Sequence, residues 1–282
     1  MFFIANHPIY NHPLPEGHRF PMLKYELLPK QLLHEGTAEC TDFYSPDSID
    51  LSLVHAVHTV SYVKALTELT LDAKAVRSIG FPLSAALVER ELRIAQGTVV
   101  GCNHALEHGI AFNIAGGTHH AFSDRGEAFC LLNDQAIAAQ YLINQKKCHK
   151  ILIVDLDVHQ GNGTAEIFQN NADVITFSMH GQSNYPFRKE TSDYDIALPD
   201  KTDDTTYLSI LQETLPELLN IHRPDFVFYL AGVDILGTDK LGKLGCTLEG
   251  CKTRDSYVLG LCKSLGIPVQ VSMGGGYSPA IK

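Results

Sequence analysis

The sequence contains no Cys-x-x-Cys pair, and its number of cysteines is odd. The seven cysteines are Cys40, Cys102, Cys130, Cys148, Cys246, Cys251 and Cys262. An odd number without paired spacing argues against a disulfide framework and against a zinc site built from cysteines. We therefore expect free thiols and a protein of a reducing compartment, the cytoplasm.

Long apolar runs and clusters of positive charge are also missing. No segment approaches the roughly 20 apolar residues of a membrane-spanning helix, and the apolar run that opens the sequence is too short for a signal peptide. The chain has 22 Lys and Arg residues against 32 Asp and Glu residues, a formal net charge of −10. Because binding to nucleic acid needs a basic stripe, we expect a soluble intracellular protein with no direct nucleic-acid or membrane partner.

Apolar runs alternate with helical patterns from about residue 50 onward, and no repeat or linker divides the chain. The predicted strands are residues 111–115, 151–156, 174–178, 195–198, 226–230 and 267–272. Several of these runs are almost continuously apolar, as expected for strands covered on both faces. Helical patterns lie between them, at residues 84–108, from Asn133 or Asp134 through Leu142, at 202–220 and at 251–265.

This alternation predicts a parallel sheet with right-handed crossovers and helices on both faces. We therefore expect residues 1–282 to form a single α/β domain with a doubly wound, mostly parallel sheet. Two details qualify the pattern. Pro216 should bend or shorten its helix, and the first 50 residues, rich in Pro and His and weakly periodic, should form an irregular edge.

Four of the predicted strands end in unusual polar residues. The segments that follow them are Gly116–His120, Asp155–Gly163, Gly232–Asp234 and Gly274–Tyr277. Each segment alone is weak evidence, because paired histidines are often surface residues, an Asp after a strand is often a helix cap, and a glycine run can be a plain turn. Since ligands of open parallel sheets bind beyond the carboxyl ends of the strands, their joint occurrence favours one crevice.

The most specific element is Asp155-x-Asp157-x-His159. Residues i and i+2 of an extended segment point the same way, so these three side chains can share a face. Two carboxylates at the end of a buried strand carry a heavy desolvation cost unless they meet a cation. With Asp234 from another strand, Asp157 and His159 make a set of two carboxylates and one imidazole. Three protein ligands with an open position are typical of a catalytic zinc site.

These segments resemble the histone deacetylase family, which includes acetoin-utilisation proteins and acetylpolyamine amidohydrolases. The resemblance runs from about His55 to the C-terminus and is carried by GGTHHA, FCLLND, DLDVHQGNG, AGVD and GGGY, which start at residues 116, 129, 155, 231 and 274. The segments GFPLS at residues 80–84 and HQGNG at residues 159–163 are most similar to the class IV, bacterial-like branch. The fold of the family is a doubly wound parallel sheet, in agreement with the periodicity.

The resemblance also implies roles for individual residues. It makes Asp157, His159 and Asp234 the ligands of one zinc ion, His119 and His120 the catalytic pair, and Tyr277 the residue that stabilises the oxyanion. It implies that Asp155 orients His119, and it puts Asn162 where the family often has an Asp partner for the second histidine. It further implies a monovalent cation, K⁺, at Asp155, Asp157, His159, Ser178 and Met179, and a second one at Phe168, Asn171, Val174 and Tyr194.

The implied activity is hydrolysis of an acyl group, acetyl or longer, from lysine or another amine. Phe129 and Tyr185 occupy positions of aromatic walls around an acyl-lysine channel, although either could be a packing residue. The acidic chain suits a cationic substrate, but many cytosolic proteins are acidic. Three alternatives stay open: an acetylpolyamine amidohydrolase, a ureohydrolase-like enzyme with two manganese ions, and a metal-bound module that binds acyl-lysine or acts as a scaffold without catalysis.

The remaining histidines have simpler interpretations. We predict that His55 and His58 lie on a helical stretch and, like His104 and His108, serve packing or surface polarity. His180 follows a predicted strand and should lie close to the proposed site.

Overall fold

Eight parallel strands form one sheet in the computed structural model, which describes residues 2–278. The sheet order is β2-β1-β3-β8-β7-β4-β5-β6, and every neighbouring pair is parallel. The strands are β1 Ile4–Ala5, β2 Phe43–Tyr44, β3 Ile110–Asn113, β4 Ile151–Asp155, β5 Val174–Gly181, β6 Tyr194–Leu198, β7 Phe226–Leu230 and β8 Val269–Ser272.

Helices connect the strands and begin at conventional caps. The side chains of Ser84, Asn133 and Thr247 accept hydrogen bonds from the first turns of three helices, which satisfies otherwise unpaired backbone N–H groups. The α-helices are α1 Lys24–His34, α2 Leu51–Val54, α3 Val60–Thr67, α4 Ala73–Ile79, α5 Ala85–His108, α6 Asp134–Asn144, α7 Asn162–Phe168, α8 Asp204–His222 and α9 Leu248–Ser264.

The two faces of the sheet carry separate apolar layers. Along β4, Ile151 and Ile153 join the apolar cluster that includes α5 and α6, whereas Leu152 and Val154 join the cluster that includes α8 and α9. Successive side chains of a strand point to opposite faces, so a strand covered on both sides is apolar at every position. The doubly wound, parallel α/β architecture is therefore confirmed.

The structure corrects three local predictions. The first 50 residues are more regular than expected, because they contribute β1, β2 and the 11-residue helix α1. Pro216 does not shorten α8, which runs past it to His222. Neither His55 nor His58 lies within a helix, because both belong to the turn between α2 and α3. Within residues 2–278, no helix combines the length and apolar composition that crossing a membrane requires.

His58 fastens that turn to the centre of the molecule. It is buried, and its Nδ1 lies 2.9 Å from the carbonyl oxygen of Phe122, while its Nε2 accepts a hydrogen bond of 3.0 Å from the backbone N–H of Asn133. The carbonyl needs a donor, so the proton sits on Nδ1 and the ring is neutral. Burial lowers the pKa of His58 from 6.5 to about 4.

A depressed pKa of a histidine makes stability depend on pH. The folded protein resists protonation of His58, whereas the unfolded chain does not. The contribution of neutral His58 to the free energy of unfolding is therefore complete above pH 6.5 and is lost as the pH falls towards about 4. We expect His58→Gln to lower the free energy of unfolding at pH 7.5 by about 1–3 kcal/mol, because buried partners lose their hydrogen bonds. Its stability should also decline less steeply between pH 6.5 and 4 than that of the wild type. Urea unfolding at several pH values measures both effects.

The exposed residue His149 provides the control for this experiment. His149→Gln should retain the pH dependence of the wild type. An unchanged slope in His58→Gln would show that His58 does not titrate in this range.

Candidate metal centre and active site

The four polar segments predicted to meet follow four strands that are neighbours in the sheet. The order β3-β8-β7-β4 places the carboxyl ends of these strands side by side at one edge. The register confirms the match: Asn113 pairs with Ser272, and Leu230 pairs with both Ser272 and Asp155. The sheet therefore delivers the histidine pair, the Asp/Asp/His segment, Asp234 and the glycine loop to one place.

Asp157, His159 and Asp234 form a group that could hold a metal ion. Each offers one ligand atom, and these atoms all lie within 4.8 Å of one another. The Nδ1 atom of His159 lies 2.9 Å from Asp157 Oδ1 and 3.2 Å from Asp234 Oδ2. The exposed fractions of the three residues are 1%, 7% and 0%, respectively. A buried set of this kind is costly without a cation between the ligands.

The surroundings of the group fit a cation. Asp234 Oδ2 is buried without a hydrogen-bond partner among the described residues, whereas Oδ1 accepts from the backbone N–H of Val158 at 3.0 Å. Gly275 donates its N–H to Asp157 Oδ2 at 2.7 Å. A Cβ atom at Gly275 would lie 2.1 Å from Asp234 Oδ2 and 2.6 Å from Asp157 Oδ2. The space beside both carboxylates is therefore kept open by a residue without a side chain, and one oxygen is left for a ligand bond.

The charges of the group depend on one another. Burial first, and then the neighbouring Asp157 carboxylate, raise the pKa of Asp234 to about 6. Burial opposes ionisation of Asp157 as well, but the cationic His119 and the hydrogen bond from His159 hold its pKa well below the usual value. Although burial alone lowers the pKa of an imidazole, the two carboxylates raise that of His159 to about 10. The site thus attracts positive charge.

His119 and His120 lie beside this group, with ring centroids 4.1 Å apart. Each ring is held at Nδ1: that of His119 by Asp155 Oδ2 at 2.6 Å, and that of His120 by Asn162 Oδ1 at 2.6 Å. Nε2 of His119 lies 3.9 Å from Asp157 Oδ1, so this nitrogen faces the metal group. The predicted partners, Asp155 and Asn162, are therefore the ones that the structure shows.

The two histidines differ in proton affinity. Burial lowers the pKa of both rings, but the carboxylates of Asp155 and Asp157 overcome it at His119 and raise its pKa. At His120, burial and then the positive charges of His119 and His159 hold the pKa well below 6.5, and the Asn162 hydrogen bond only partly opposes them. A neutral amide stabilises an imidazolium less than a carboxylate does.

Tyr277 closes the other side of the crevice. Its ring packs edge-on against His159 at 6.2 Å and against Phe20 at 5.9 Å. Its backbone N–H donates to Asp239 Oδ2 at 2.6 Å. Burial, and then the carboxylates of Asp157 and Asp234, raise the pKa of Tyr277 well above its usual value. The hydroxyl therefore stays protonated and able to donate a hydrogen bond.

Two aromatic residues predicted to line a channel lie against this site. The ring of Phe129 lies 6.2 Å from that of Tyr277, and Phe20 packs edge-on against it at 5.0 Å. The ring of Tyr185 meets His120 edge-on at 4.9 Å, and its hydroxyl donates to Glu127 Oε2 at 2.5 Å. Phe129 thus stands on the tyrosine side and Tyr185 on the histidine side.

The residues predicted to bind monovalent cations lie on and next to the sheet. Ser178 is the direct partner of Asp155 in the ladder between β4 and β5, and Met179 follows it. The Ser178 hydroxyl lies 3.0 Å from Nδ1 of the buried His180, which places His180 near the site as predicted. The second predicted set lies at the end of α7, in the following turn and at the starts of β5 and β6: Phe168, Asn171, Val174 and Tyr194.

Several residues of the site were missed by the sequence analysis. The sequence pattern predicts Asp134 only as a possible start of a helix, but its carboxylate accepts hydrogen bonds from the Thr118 backbone N–H, at 2.9 Å, and from the Thr98 hydroxyl, at 2.7 Å. It thereby fixes the loop that carries the histidine pair. Asp239 does the same for Tyr277. Asp239 follows Asp234 by five residues, so the sequence could have indicated two aspartates on one loop. Nothing in this spacing indicates that Asp239 contacts Tyr277.

Helix α1 and the loop before it form another part of the site that the sequence pattern did not reveal. Phe20 packs on Phe129 and Tyr277, and the Lys24 ammonium donates to the carbonyl oxygens of Gly274 and Gly276 at 3.4 and 3.5 Å. The segment that was predicted to be an irregular edge therefore covers the glycine loop.

The sequence is similar to that of known proteins over nearly its whole length. Residues 18–281 match the histone deacetylase domain. The chain is 48% identical over 280 residues to an uncharacterized protein of Picosynechococcus sp., covering 99% of this chain and 93% of that protein. It is 28% identical over 271 residues to Histone deacetylase 2 of Arabidopsis thaliana, covering 92% of this chain and 70% of that protein.

The fold is shared with solved structures. The crystal structure of an HDAC homologue from Aquifex aeolicus superimposes with a TM-score of 0.85, at 24% sequence identity, and covers 99% of this chain and 79% of that chain. The class IV, bacterial-like branch stays a prediction. Since the histone deacetylase domain extends over nearly the whole sequence, the chain belongs to the histone deacetylase family.

Proposed function

We propose that the chain is a zinc-dependent amidohydrolase that removes an acyl group from lysine or another amine with the help of one water molecule. The observation that supports it best is the convergence of Asp157, His159 and Asp234 within 4.8 Å, beside a histidine pair and a tyrosine. Two carboxylates, one imidazole and an open side are the ligand pattern of catalytic zinc. A second metal ion would need further ligands, and the described residues contain one such group.

The residues that would hold the metal are Asp157, His159 and Asp234. Zinc bound there would supply a Lewis acid that lowers the pKa of bound water towards ~7 and polarises the amide carbonyl. The protein contributes ligands that are already assembled. The backbone N–H of Val158 donates to Asp234 Oδ1, and the backbone N–H of Gly275 donates to Asp157 Oδ2.

The histidine pair moves the protons. With Nδ1 engaged by its partner, each ring can accept or donate a proton at Nε2. His120, whose partner is the neutral Asn162, stays neutral and acts as general base towards the attacking water. His119, whose partner is Asp155, has the higher pKa and holds a proton for the departing amine. The products are a free amine and a carboxylate.

Tyr277 stabilises the oxygen that becomes negative as water adds to the carbonyl. Its hydroxyl is protonated at neutral pH, and the aromatic packing with Phe20 and His159 fixes the ring. A donor that is oriented before the reaction stabilises the developing charge without reorganisation.

The substrate is proposed to enter between Phe129 and Tyr185. Two aromatic walls suit the aliphatic stem of an acyl-lysine, which leaves the amide at the metal group. We further propose that K⁺ binds at Asp155, Asp157, His159, Ser178 and Met179, where Ser178 and Asp155 face each other across β4 and β5. Acetylpolyamines are the alternative substrates, because they present the same acylated amine on an aliphatic chain.

Metal content and hydrolysis test the proposal together. The purified chain is expected to hold one zinc ion, to hydrolyse a fluorogenic acyl-lysine peptide, to lose activity with a chelator and to regain it with zinc. Asp234→Asn removes one ligand charge and should lower activity by at least about 100-fold. It should also abolish the rise in unfolding temperature that zinc produces in the wild type. Metal analysis, the peptide assay and thermal unfolding measure these outcomes.

Asp47→Asn, on an almost fully exposed side chain, is the matched control and should behave as the wild type. Two manganese ions per chain would indicate a ureohydrolase-like enzyme instead. Zinc binding without hydrolysis of acetyl-lysine, fatty-acyl-lysine or acetylpolyamine would indicate a binding or scaffold module.

The role of Tyr277 predicts a loss confined to the chemical step. Tyr277→Phe retains the ring packing and removes the hydroxyl, so we expect kcat to fall about 10²–10³-fold, as for loss of one oxyanion donor. KM and the dissociation constant of zinc should change little. Steady-state kinetics together with zinc titration separate these effects. A large change in KM with kcat retained would argue that Tyr277 binds substrate instead.

The pairing of His120 with Asn162 predicts a pH effect. Replacing Asn162 by Asp puts a carboxylate 2.6 Å from His120 Nδ1, which stabilises the imidazolium and raises the pKa of His120. Because a general base must be unprotonated, the acidic limb of the pH–rate profile should move to higher pH in Asn162→Asp. The profile of kcat/KM measures it. An acidic limb that stays in place would exclude His120 as the base.

A further inference from the structure

The loops that carry Asp157 and Asp234 leave the sheet from neighbouring strands. β4 ends at Asp155 and β7 at Leu230, and these two residues are partners in the ladder. Beyond this point the chains no longer continue as paired strands, so their carbonyl groups need other donors. Buried carbonyls are almost always paired.

Arg254 supplies these donors from α9, in the helix layer that also includes α8. Its Nη1 donates to the carbonyl oxygens of Leu156 at 3.2 Å and Gly232 at 2.7 Å, and its Nη2 donates to that of Ala231 at 3.3 Å. Leu156 immediately precedes Asp157, and Gly232 lies two residues before Asp234. One guanidinium group therefore ties together the backbones of both metal-ligand loops.

The guanidinium is itself fixed in place. Its side chain is fully buried, at 0% exposure, and it projects from the middle of α9. Nε and Nη2 donate to Asp255 Oδ1 at 2.9 and 2.8 Å, and the Tyr229 hydroxyl donates to the same oxygen at 2.5 Å. Because the guanidinium is buried and donates hydrogen bonds from Nε, Nη1 and Nη2, Arg254 has little freedom to follow a displaced loop.

We propose that Arg254 is a positioning residue that sets the spacing between Asp157 and Asp234 and thereby the affinity of the metal centre. The inference rests on the proposed function, because it assumes that these two carboxylates bind the metal. Asp255 is the neighbour of Arg254 on α9, and its hydrogen bond from the Tyr229 hydroxyl of β7 already attaches the helix to the sheet. The three bonds to carbonyl oxygens of two different loops go beyond that attachment.

Arg254→Lys is the sharpest variant. Lysine keeps the charge and the aliphatic stem, but its ammonium lacks the planar fork that reaches both loops at once. We expect the dissociation constant of zinc, measured by competition with a chelator, to rise about 10–100-fold, the range observed when groups that orient metal ligands are removed. Arg254→Met should have at least this effect. In the cobalt-substituted protein, the visible absorption bands should change in Arg254→Lys because the ligand geometry changes.

Two further variants separate positioning from stability. Val258 is buried in the same apolar layer, one turn further along α9. Val258→Ala should lower the unfolding temperature through the cavity it leaves, while the dissociation constant of zinc changes by less than about twofold. Asp255→Asn weakens the ion pair that holds the Arg254 guanidinium but leaves the Arg254 side chain in place. The Asp255 side chain is 36% exposed, so the change costs little packing. It should raise the dissociation constant of zinc even if Arg254→Met fails to fold.

The outcomes distinguish this inference from the proposed function. If the wild type binds zinc and hydrolyses acyl-lysine, but Arg254→Lys and Asp255→Asn bind zinc as tightly as the wild type, the positioning role is wrong. The same holds if Val258→Ala weakens zinc binding as much as Arg254→Lys does at equal loss of stability. If the wild type itself binds no zinc, the proposed function fails first.

Discussion

The burial of like charges at the end of the sheet is the constraint on which the rest of this structure depends. Asp155, Asp157 and Asp234 are at most 3% exposed and lie at the tips of two adjacent strands. Such carboxylates need opposite charge and hydrogen-bond donors. Backbone N–H groups, His119 and His159 supply part of this compensation, and one oxygen of Asp234 remains without a donor among the described residues. The folded state is thus prepared for a cation.

Much of this arrangement could be predicted from the sequence because it follows from strand periodicity. The apolar runs of β4, β5 and β7 mark strands covered on both faces, and polar residues directly after them mark the edge where parallel strands end. Asp155, Asp157 and His159 are spaced two residues apart, so in an extended segment their side chains point to the same face. Even so, the strand order that puts β8 and β7 between β3 and β4 comes from packing of the two helix layers, which no local pattern encodes.

The residues that support the site were harder to predict, for identifiable reasons. β1 and β2 are two residues long, too short for any alternation, and the contacts of Phe20 and Lys24 with the glycine loop are separated by about 250 residues in sequence. Arg254 lies on a helix of low amphipathicity beside Asp255, a pattern that is typical of a solvated charge pair. Its burial is visible only once the loops of Leu156 and Gly232 lie beneath it.

The two adjacent histidines show how the fold differentiates identical side chains. His119 and His120 share a loop and are both buried, but consecutive residues point in different directions and meet different partners. His119 meets Asp155, which comes from the end of β4, and His120 meets Asn162, which starts α7. Since a carboxylate favours the imidazolium and an amide does not, one ring retains a proton where the other releases it. Two imidazoles of different proton affinity can therefore lie with their ring centroids 4.1 Å apart because their partners come from two different elements.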